Sequence, residues 1–388
     1  MTVTGQGRWA RPMAATDPIV PDYTGDVLGR VLPVAATAIG ADLGVVPDWG
    51  LPTAERICVL LVDGLGSELL AAATDVAPFL ASLLPAARIL RAGFPTTTAA
   101  SMGSFGTGLP PGRHGLVGYD VLDPDRDLIF NELKWDPAVD PRAWQPHPTV
   151  FETLDTQDLP SVRVGPARFA GSGLTEAVLR GGRFVPADRL HHIVSATVAA
   201  MKGDDRLAYV YWGGVDFAGH ANGWRSAAWR RALHQLDQAA LALARRLPPG
   251  TTLVVTADHG MMDLPHEYRH DLADTPELLA GVRHIGGETR ALQLYCEPDA
   301  AEEVAAGFAD RFGDLVWVRT RREAVDQGWF GPVEDRVLPR IGDVIVAAAG
   351  NIGLVDTRVA NPKVLTLLGQ HGSLTEAEQL VPLLVHHC

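Results

Sequence analysis

The chain has 388 residues, of which 47% are hydrophobic and 20% are charged, so it is long enough and apolar enough to bury a large core. This composition excludes disordered and fibrous proteins. The formal net charge of −13 argues against unaided binding of nucleic-acid polymers, because no basic surplus is available to neutralise phosphates. A small anionic substrate is compatible with this charge if cations in a site reverse the local field.

The amino-terminal segment has no apolar stretch typical of a secretory signal, and no later run approaches the ~18 uninterrupted apolar residues of a membrane span. We therefore predict a cytoplasmic protein that does not bind membranes. The cysteines are Cys58, Cys296 and Cys388, an odd number without CxxC spacing, which favours neither a disulfide framework nor a cysteine-zinc site. Cys58 lies in an apolar run and is predicted to be a small core residue.

Residues 1–25 are rich in proline, glycine and small residues and are predicted to form an extended arm. After them, short apolar runs alternate with segments of helical spacing. The apolar runs are RICVLLVDG from residue 56, ARILRAGFP, RLAYVYWGGVD from residue 206 and TTLVVTADHG from residue 251. This alternation predicts an α/β fold with a mostly parallel central sheet and helices on both faces. We assign residues 26–263 and 346–388 to this core.

Residues 264–345 have a different pattern. HIGGETRALQLYC, the helical DAAEEVAAGFADRF and DLVWVRT follow one another, with GDVIVAAAG further on. This order predicts a small α+β insertion or cap.

Candidate metal ligands follow the apolar runs or lie in glycine-rich loops. They are Asp63 in LLVDGLG, Asp216 and His220 in VDFAGHANG, Asp258 and His259 in TADHGMM, and His371 in GQHGSL. In parallel sheets, functional groups collect at the carboxyl ends of the strands. The set of carboxylates and imidazoles is large enough for two divalent ions such as zinc.

Each of these motifs also has a purely structural interpretation. Asp63 before Gly64 is compatible with a turn at the end of a strand. The spacing of Asp216 and His220 suits one helical turn, but the intervening FAG favours a turn rather than a helix. An adjacent aspartate and histidine at the end of an apolar strand is costly to bury without a partner, and the combination of all four motifs favours a metal site.

The set VDGLG, FPTTTAASMGSFGTGLPPGRHGL, DFAGHANG, TADHGMM and GQHGSL resembles the nucleotide pyrophosphatase/phosphodiesterase branch of the alkaline phosphatase superfamily, in the same order and over roughly residues 55–375. This resemblance implies a parallel-sheet core, two zinc ions and a covalent phosphothreonine intermediate. It assigns Asp63, Asp258, His259 and the nucleophile to one ion, and it assigns Asp216, His220 and His371 to the other.

By the same resemblance, the nucleophile falls on Thr98, and Thr96 and Thr97 remain as turn residues. A hydroxyl needs a neighbouring base or a metal ion to become a good nucleophile at neutral pH. Thr98 precedes Ala99 and Ala100 and is therefore expected near a helix N-terminus, where free amides favour a phosphate. A plain helix cap is the alternative that the local sequence leaves open.

Two positions depart from the family pattern. Ser101, after Ala100, stands where many diesterases of the family have an asparagine after a proline. Tyr119 stands near the position of the asparagine that contacts phosphate. We name both as candidate substrate-binding residues, and the departure leaves the choice among monoester, diester and phosphonate substrates open.

The predicted function is two-metal hydrolysis of small phosphate esters such as nucleotides or other diesters, by a phosphodiesterase or nucleotide pyrophosphatase. The alternatives are a phosphomonoesterase or phosphonate hydrolase on the same scaffold and, less favoured, a non-catalytic binding protein. A sulfatase is disfavoured because no Cys or Ser followed by x-Pro-x-Arg stands near Thr98. A mutase of the superfamily would need a larger insertion after the nucleophile. Nothing in the sequence indicates the oligomeric state.

Overall fold

The computed structural model describes residues 17–44 and 46–388. Most of the predicted arm, residues 1–25, lies outside this described part. The strands are β1 (Arg56–Val62), β2 (Arg88–Arg91), β3 (Asp120–Asp123), β4 (Leu128–Asn131), β5 (Ser161–Gly165), β6 (Arg183–Pro186), β7 (Leu207–Trp212), β8 (Thr251–Thr256), β9 (Met262–Asp263), β10 (Arg269–Asp271), β11 (Val282–Glu288), β12 (Ala291–Cys296), β13 (Val316–Thr320), β14 (Val344–Ala348), β15 (Gly353–Val355), β16 (Gly369–Gln370) and β17 (Leu380–His387).

The α-helices are mostly short. They are α1 (Val31–Ala38), α2 (Ser67–Ala71), α3 (Pro78–Leu83), α4 (Thr98–Thr107), α5 (Pro111–His114), α6 (Pro141–Trp144), α7 (Val150–Thr156), α8 (Gly173–Val178), α9 (Leu190–Met201), α10 (Gly214–Asn222), α11 (Ala227–Arg246), α12 (Ala301–Phe312), α13 (Arg321–Asp326) and α14 (Glu376–Gln379).

The central sheet has seven strands in the order β2-β17-β8-β1-β7-β5-β6. Strands β8, β1, β7, β5 and β6 are mutually parallel, and β17 runs antiparallel between β8 and β2. Strand β1 is apolar and almost wholly buried, as expected for a central parallel strand covered on both faces. Cys58 lies within it and is fully buried. The predicted α/β fold with a mostly parallel sheet is therefore confirmed.

Two groups of helices pack on this sheet. In one group α1, α4 and α7 contact one another, and in the other α11 contacts α3 and α9. Helix α11 shows why such segments become helices: its buried residues Trp229, Leu233, Leu236, Ala240 and Leu243 recur at helical spacing, and the Ser226 side chain caps its first turn.

A second sheet of six strands has the order β13-β14-β12-β11-β3-β4. Most of its strands come from the segment predicted as an insertion, residues 264–345. Strands β3 and β4, however, come from residues 120–131, and β14 extends to Ala348. The long-range pairing of Asp120 with Gly287 has no local sequence signal, so the predicted boundaries did not include it. The division into core and insertion stays a prediction.

A fully buried ion pair links the two sheets. Arg290, in the turn between β11 and β12, donates from Nε and Nη2 to the carboxylate of Glu378 in α14, at 2.8 and 2.9 Å. Both side chains have 0% exposure. Glu378 also accepts from the amide of Ser373, close to His371, at 3.0 Å. The pair therefore fixes the loop that carries one of the candidate ligands.

We expect Arg290→Met to lower the free energy of unfolding by about 3–5 kcal/mol, because it leaves a buried carboxylate without its partner. Urea denaturation measures this loss. The double variant Arg290→Met/Glu378→Gln should recover part of it, since the unpaired charge is then removed. Arg142→Met is the control, because its side chain is 63% exposed and its surface ion pairs contribute about 1 kcal/mol at most. Equal losses in Arg290→Met and Arg142→Met would contradict the assigned role.

Within the described part of the chain, the helices are all too short or too polar to span a bilayer.

Candidate active site

The predicted metal ligands lie at the carboxyl edge of the central sheet. Asp63 directly follows β1, and Asp258 and His259 follow β8, the neighbour of β1. Asp216 and His220 come after β7, the other neighbour of β1. Neighbouring parallel strands end at the same edge, so segments far apart in sequence meet there.

Asp216 and His220 lie on helix α10, where the local sequence favoured a turn, so that expectation was wrong. The helix begins at Gly214 and ends at Asn222, before Gly223 at φ 83°. Val215 and Ala218 are buried, and α10 packs against α11, which stabilises a helix that glycines alone would disfavour. The i, i+4 spacing then places both side chains on one face.

The first ligand cluster surrounds Nε2 of His259. This atom lies 3.4 Å from Oδ1 of Asp63 and 3.6 Å from Oδ2 of Asp258. The Oγ1 hydroxyl of Thr98 lies 3.3 Å from the same nitrogen. The four residues that the resemblance assigns to one ion are thus in mutual reach.

The second cluster contains Asp216, His220 and His371. Nε2 of His220 lies 3.2 Å from Oδ1 of Asp216 and 3.2 Å from Nε2 of His371. Ligand atoms of these three residues lie within 4.8 Å of one another, as do those of Asp63, Asp216 and His259. The rings of His259 and His371 stack at 3.7 Å, so the two clusters adjoin.

All three imidazoles are held in the same tautomer by backbone carbonyls. Nδ1 of His220 donates to Gly369 at 2.7 Å, Nδ1 of His259 to Gly260 at 2.9 Å, and Nδ1 of His371 to Thr96 at 2.7 Å. Because a carbonyl oxygen can only accept, each neutral ring presents an unprotonated Nε2. Burial lowers the pKa of His259 to about 4 and that of His371 well below its usual value, which keeps these two rings neutral.

This arrangement fits a cation. The lone pairs of His220 and His371 face each other across 3.2 Å, which is repulsive without a positive charge between them. Oδ1 of Asp63, Oδ1 of Asp216 and Oδ2 of Asp258 are buried and accept no hydrogen bond from any described residue. Carboxylate oxygens and singly hydrogen-bonded imidazoles are typical ligands of zinc and similar divalent ions.

Metal binding is expected to stabilise the protein more strongly at pH 8 than at pH 6. Burial, with repulsion from neighbouring carboxylates, raises the pKa values of Asp63 and Asp216 well above their usual range, and burial raises the pKa of Asp258 to about 6. A raised folded-state pKa stabilises the metal-free protein at low pH, and this contribution is lost as the pH rises through that value. A metal ion needs the ionised carboxylates, so protons compete with it at pH 6.

Calorimetric Tm values of chelator-treated protein, with and without added zinc, test this at pH 6, 7 and 8. A zinc-induced rise in Tm that shrinks with increasing pH would contradict the predicted direction.

Thr98 is the first residue of helix α4 and is partly exposed. Thr97 occupies the N-cap position, and its side chain makes no capping hydrogen bond. Thr96 is fully buried. Its hydroxyl donates to the carbonyl of Ser373 at 2.9 Å and accepts from the amide of Gly372 at 2.9 Å. Thr96 thus holds the His371 loop, while the Thr98 hydroxyl faces the ligands.

A large cavity of about 1680 Å³ opens beside the ligands and is lined by Thr98, Asp63, Asp216, His220 and His371. Tyr119, one of the two predicted substrate contacts, also lines it. Ser101 does not: it is fully buried, one turn into α4, among residues that face the core. The contact predicted for Ser101 is therefore not supported by its position.

Two further residues at the site were not predicted. The hydroxyl of Tyr211 donates to Oδ2 of Asp63, and Oε2 of Glu288 lies 3.6 Å from Nδ1 of His371. Tyr211 stands near the end of β7 in YVYW, a strand that ends at the site, so its position could have predicted a contact there. Glu288 comes from the second sheet, and no pattern in its own segment indicates the contact.

Paired carboxylate and imidazole clusters of this kind, beside a hydroxyl group, are typical of metal-dependent phosphoester hydrolases. The model of the type I phosphodiesterase / nucleotide pyrophosphatase family matches residues 57–374, and the chain belongs to this family. It is therefore an enzyme of the phosphoester hydrolase class, with the fold of the alkaline phosphatase superfamily.

Solved structures show the same fold. Mouse ectonucleotide pyrophosphatase/phosphodiesterase 5 is 18% identical, covers 85% of this chain and 88% of its own, and has a TM-score of 0.68. Phosphonoacetate hydrolase from Sinorhizobium meliloti 1021, in complex with phosphonoformate, is 19% identical, covers 86% and 90%, and has a TM-score of 0.67. At these identities the likeness concerns the fold alone.

Among curated proteins, a phosphopentomutase from Anaeromyxobacter dehalogenans (strain 2CP-C) is 35% identical over 153 residues. This match covers 38% of the chain and only 37% of the mutase.

Proposed function

We propose that this protein hydrolyses phosphodiester or pyrophosphate bonds of small substrates, with two divalent metal ions and with Thr98 as the nucleophile. The observation that carries this proposal is the convergence of the Thr98 hydroxyl and three buried, unpaired aspartate oxygens on unprotonated imidazole nitrogens, at distances of 3.2–3.6 Å.

One ion would be held by Asp63, Asp258, His259 and Thr98, and the other by Asp216, His220 and His371. The mixture of carboxylate and imidazole ligands favours zinc. Such ions, when bound, lower the pKa of a ligated hydroxyl and neutralise charge on the phosphoryl oxygens.

The chain itself supplies the nucleophile and its orientation. Thr98 loses its proton to solvent, and its Oγ1 forms a bond to phosphorus as the bond to the leaving oxygen breaks. The leaving oxygen takes a proton from solvent. The product is a phosphothreonine that keeps the second organic substituent of the diester, and water then hydrolyses it to release the monoester and regenerate the hydroxyl. Tyr211 and the backbone carbonyls of Gly260, Gly369 and Thr96 hold the surrounding side chains in place.

The N-terminus of α4 supports an anionic phosphoryl group at Thr98. The first amides of a helix have no acceptor within the helix and carry the positive end of its dipole. This helix spans ten residues, so its dipole is developed. Phosphate binding at such a terminus needs no additional cationic side chain.

The size and lining of the cavity favour a diester over a small monoester. Beyond the ligands it is lined by apolar and aromatic residues, among them Leu128, Phe169, Leu174, Trp212 and Phe217. A phosphate with two organic substituents can bury both of them there. A variant of the mouse homologue, with threonine replaced by alanine and described as inactive, was solved in complex with AMP, which supports a nucleotide-like substrate.

Phosphonate hydrolysis is the second candidate, because the structural relative from Sinorhizobium acts on phosphonoacetate. Initial rates on bis-p-nitrophenyl phosphate, p-nitrophenyl phosphate and phosphonoacetate separate the possibilities. We expect the diester to have the highest kcat/KM. A strong preference for the monoester or for the phosphonate would contradict the diesterase assignment.

A further inference from the structure

An arginine with no anionic partner lies in the same cavity as the catalytic threonine. Arg163, on β5, is only 8% exposed and lines the cavity together with Thr98. Its Nε and Nη1 atoms are buried and make no hydrogen bond within residues 17–44 and 46–388. Arg163 is neither one of the proposed metal ligands nor the proposed nucleophile.

The two carboxylates that interact electrostatically with Arg163 form their hydrogen bonds with other groups. Glu176 pairs with Arg142 at 3.4 Å, and Asp155 accepts from the amide of Gly182 at 2.8 Å. Within the described residues, no carboxylate accepts a hydrogen bond from Nε or Nη1 of Arg163. Instead, the Cζ atom of Arg163 lies 6.0 Å from the ring centroid of Phe151 and 5.7 Å from that of Phe184.

The two phenyl rings pack near the guanidinium, but they do not accept hydrogen bonds from its buried Nε and Nη1 atoms. A cation–π contact contributes about 0.5–2 kcal/mol, whereas a buried donor without an acceptor costs about 1–3 kcal/mol and a charged one costs more. An apolar side chain of similar size would avoid this cost. The unpaired Arg163 guanidinium at the wall of the cavity can instead form hydrogen bonds with an anionic group of a bound ligand.

The sheet register connects Arg163, through its neighbour Tyr209, to the helix that begins at Thr98. Arg163 pairs with Tyr209, whose hydroxyl lies 4.0 Å from the sulfur of Met102, one turn along α4 from Thr98. Met102 and Tyr209 both line the cavity. Trp212, level with the end of β1, is three residues beyond Tyr209, which is roughly 10 Å along the strand.

We propose that Arg163 binds a second anionic group of the substrate, a carboxylate or a phosphate carried on an organic substituent several bonds from the scissile phosphate. The inference rests on the proposed function, and it narrows the substrate class from diesters in general to diesters with an anionic side group. The planar guanidinium can bind either group through two parallel hydrogen bonds.

A series of p-nitrophenyl alkyl phosphates tests this. One set has alkyl chains that end in a carboxylate, a second set ends in a phosphonate, and a third set of equal lengths ends in a methyl group. Release of p-nitrophenolate gives kcat/KM for each ester. We expect the anionic ester to exceed its methyl counterpart roughly 10- to 100-fold at the best chain length, as a charge-assisted hydrogen bond implies. The set with the larger advantage identifies the anion.

Arg163→Met should reduce this advantage to about one, and Arg163→Lys should retain part of it, because lysine keeps the charge without the planar fork. Arg142→Met, at an exposed position outside the cavity, is the control that keeps the full advantage. Arg168→Met probes another arginine that lines the cavity, whose guanidinium carbon lies 4.6 Å from the ring centroid of Phe169. Loss of the advantage in Arg168→Met but not in Arg163→Met would overturn the assignment.

Thermal denaturation without substrate separates binding from packing. Removal of an unsatisfied buried charge should leave the Tm of Arg163→Met equal or higher, whereas a packing role predicts a fall. Equal rates on all three ester sets in the wild type would overturn the proposal and leave the proposed function intact. Absence of p-nitrophenolate release from every ester would instead contradict the proposed function.

Discussion

Thr98→Ala is expected to lower kcat on bis-p-nitrophenyl phosphate by about 10⁴-fold or more, because it removes the proposed nucleophilic hydroxyl at the first ligand cluster. Oγ1 of Thr98 lies 3.3 Å from Nε2 of His259, in the group formed with Asp63 and Asp258. Steady-state release of p-nitrophenolate measures the effect.

Two matched variants control for this result. Thr98→Ser keeps a hydroxyl on the same backbone and should retain much of the activity. Thr97→Ala removes the neighbouring hydroxyl, which makes no capping hydrogen bond, and should cause a far smaller loss than Thr98→Ala. If Thr97→Ala and Thr98→Ala lose activity equally, or if Thr98→Ala stays active, Thr98 is not the nucleophile.

Removal of metal should abolish turnover, because the proposed mechanism needs cations to activate the Thr98 hydroxyl. Without cations, the buried carboxylates and the facing imidazole lone pairs also repel one another. We expect about two zinc ions per chain after purification without chelator, loss of at least about 10³-fold in kcat after chelation, and recovery with zinc. Elemental analysis and the same rate assay measure both quantities.

Ligand variants assign the ions to the two clusters. His371→Ala should lower the zinc content to near one per chain, and so should Asp258→Asn, because each removes a ligand of a different cluster. His192→Ala is the control, since His191 and His192 form an exposed pair with ring centroids 4.1 Å apart. Fewer than about one metal ion per chain, without rescue by added metal, would count against the enzyme mechanism.

The clustering of five of the six candidate ligands could be predicted because each of the five follows an apolar strand, and parallel strands bring their carboxyl ends together. The sixth, His371, lies in a glycine-rich loop. Asp63, Asp258 and the pair Asp216 and His220 follow β1, β8 and β7, which are adjacent in the sheet. The spatial clustering therefore follows from strand order and the chain's hydrophobic pattern. Thr98 was predicted from family resemblance, and its position at the start of α4 agrees with the local sequence.

Features that depend on tertiary pairing could not be predicted in this way. Helix α10 forms because Val215 and Ala218 are buried against its neighbours, although its glycines favour a turn. Strand β3 joins β11 through residues more than 160 positions apart. Glu288 reaches His371 only because the second sheet packs beside the first. Arg163 looks in sequence like an ordinary strand residue, and only the buried, unpaired state of its guanidinium distinguishes it.

Ser101 is a residue for which alignment with the family pattern and the position in the structure differ. The family pattern places a polar contact shortly after the nucleophile, but this side chain lies on the buried side of α4 and its hydroxyl has no described partner. Tyr119 does line the cavity, and its contact with substrate stays a prediction.

The most direct test of the central claim is to trap the covalent intermediate. Zinc-loaded enzyme is mixed with bis-p-nitrophenyl phosphate, quenched in acid within one turnover and analysed by peptide mass spectrometry. We predict a p-nitrophenyl phosphoryl group on the peptide that contains Thr98, assigned to that residue by fragmentation and absent in Thr98→Ala. Burst release of p-nitrophenolate with no adduct on Thr98, or an adduct on another residue, would contradict the account.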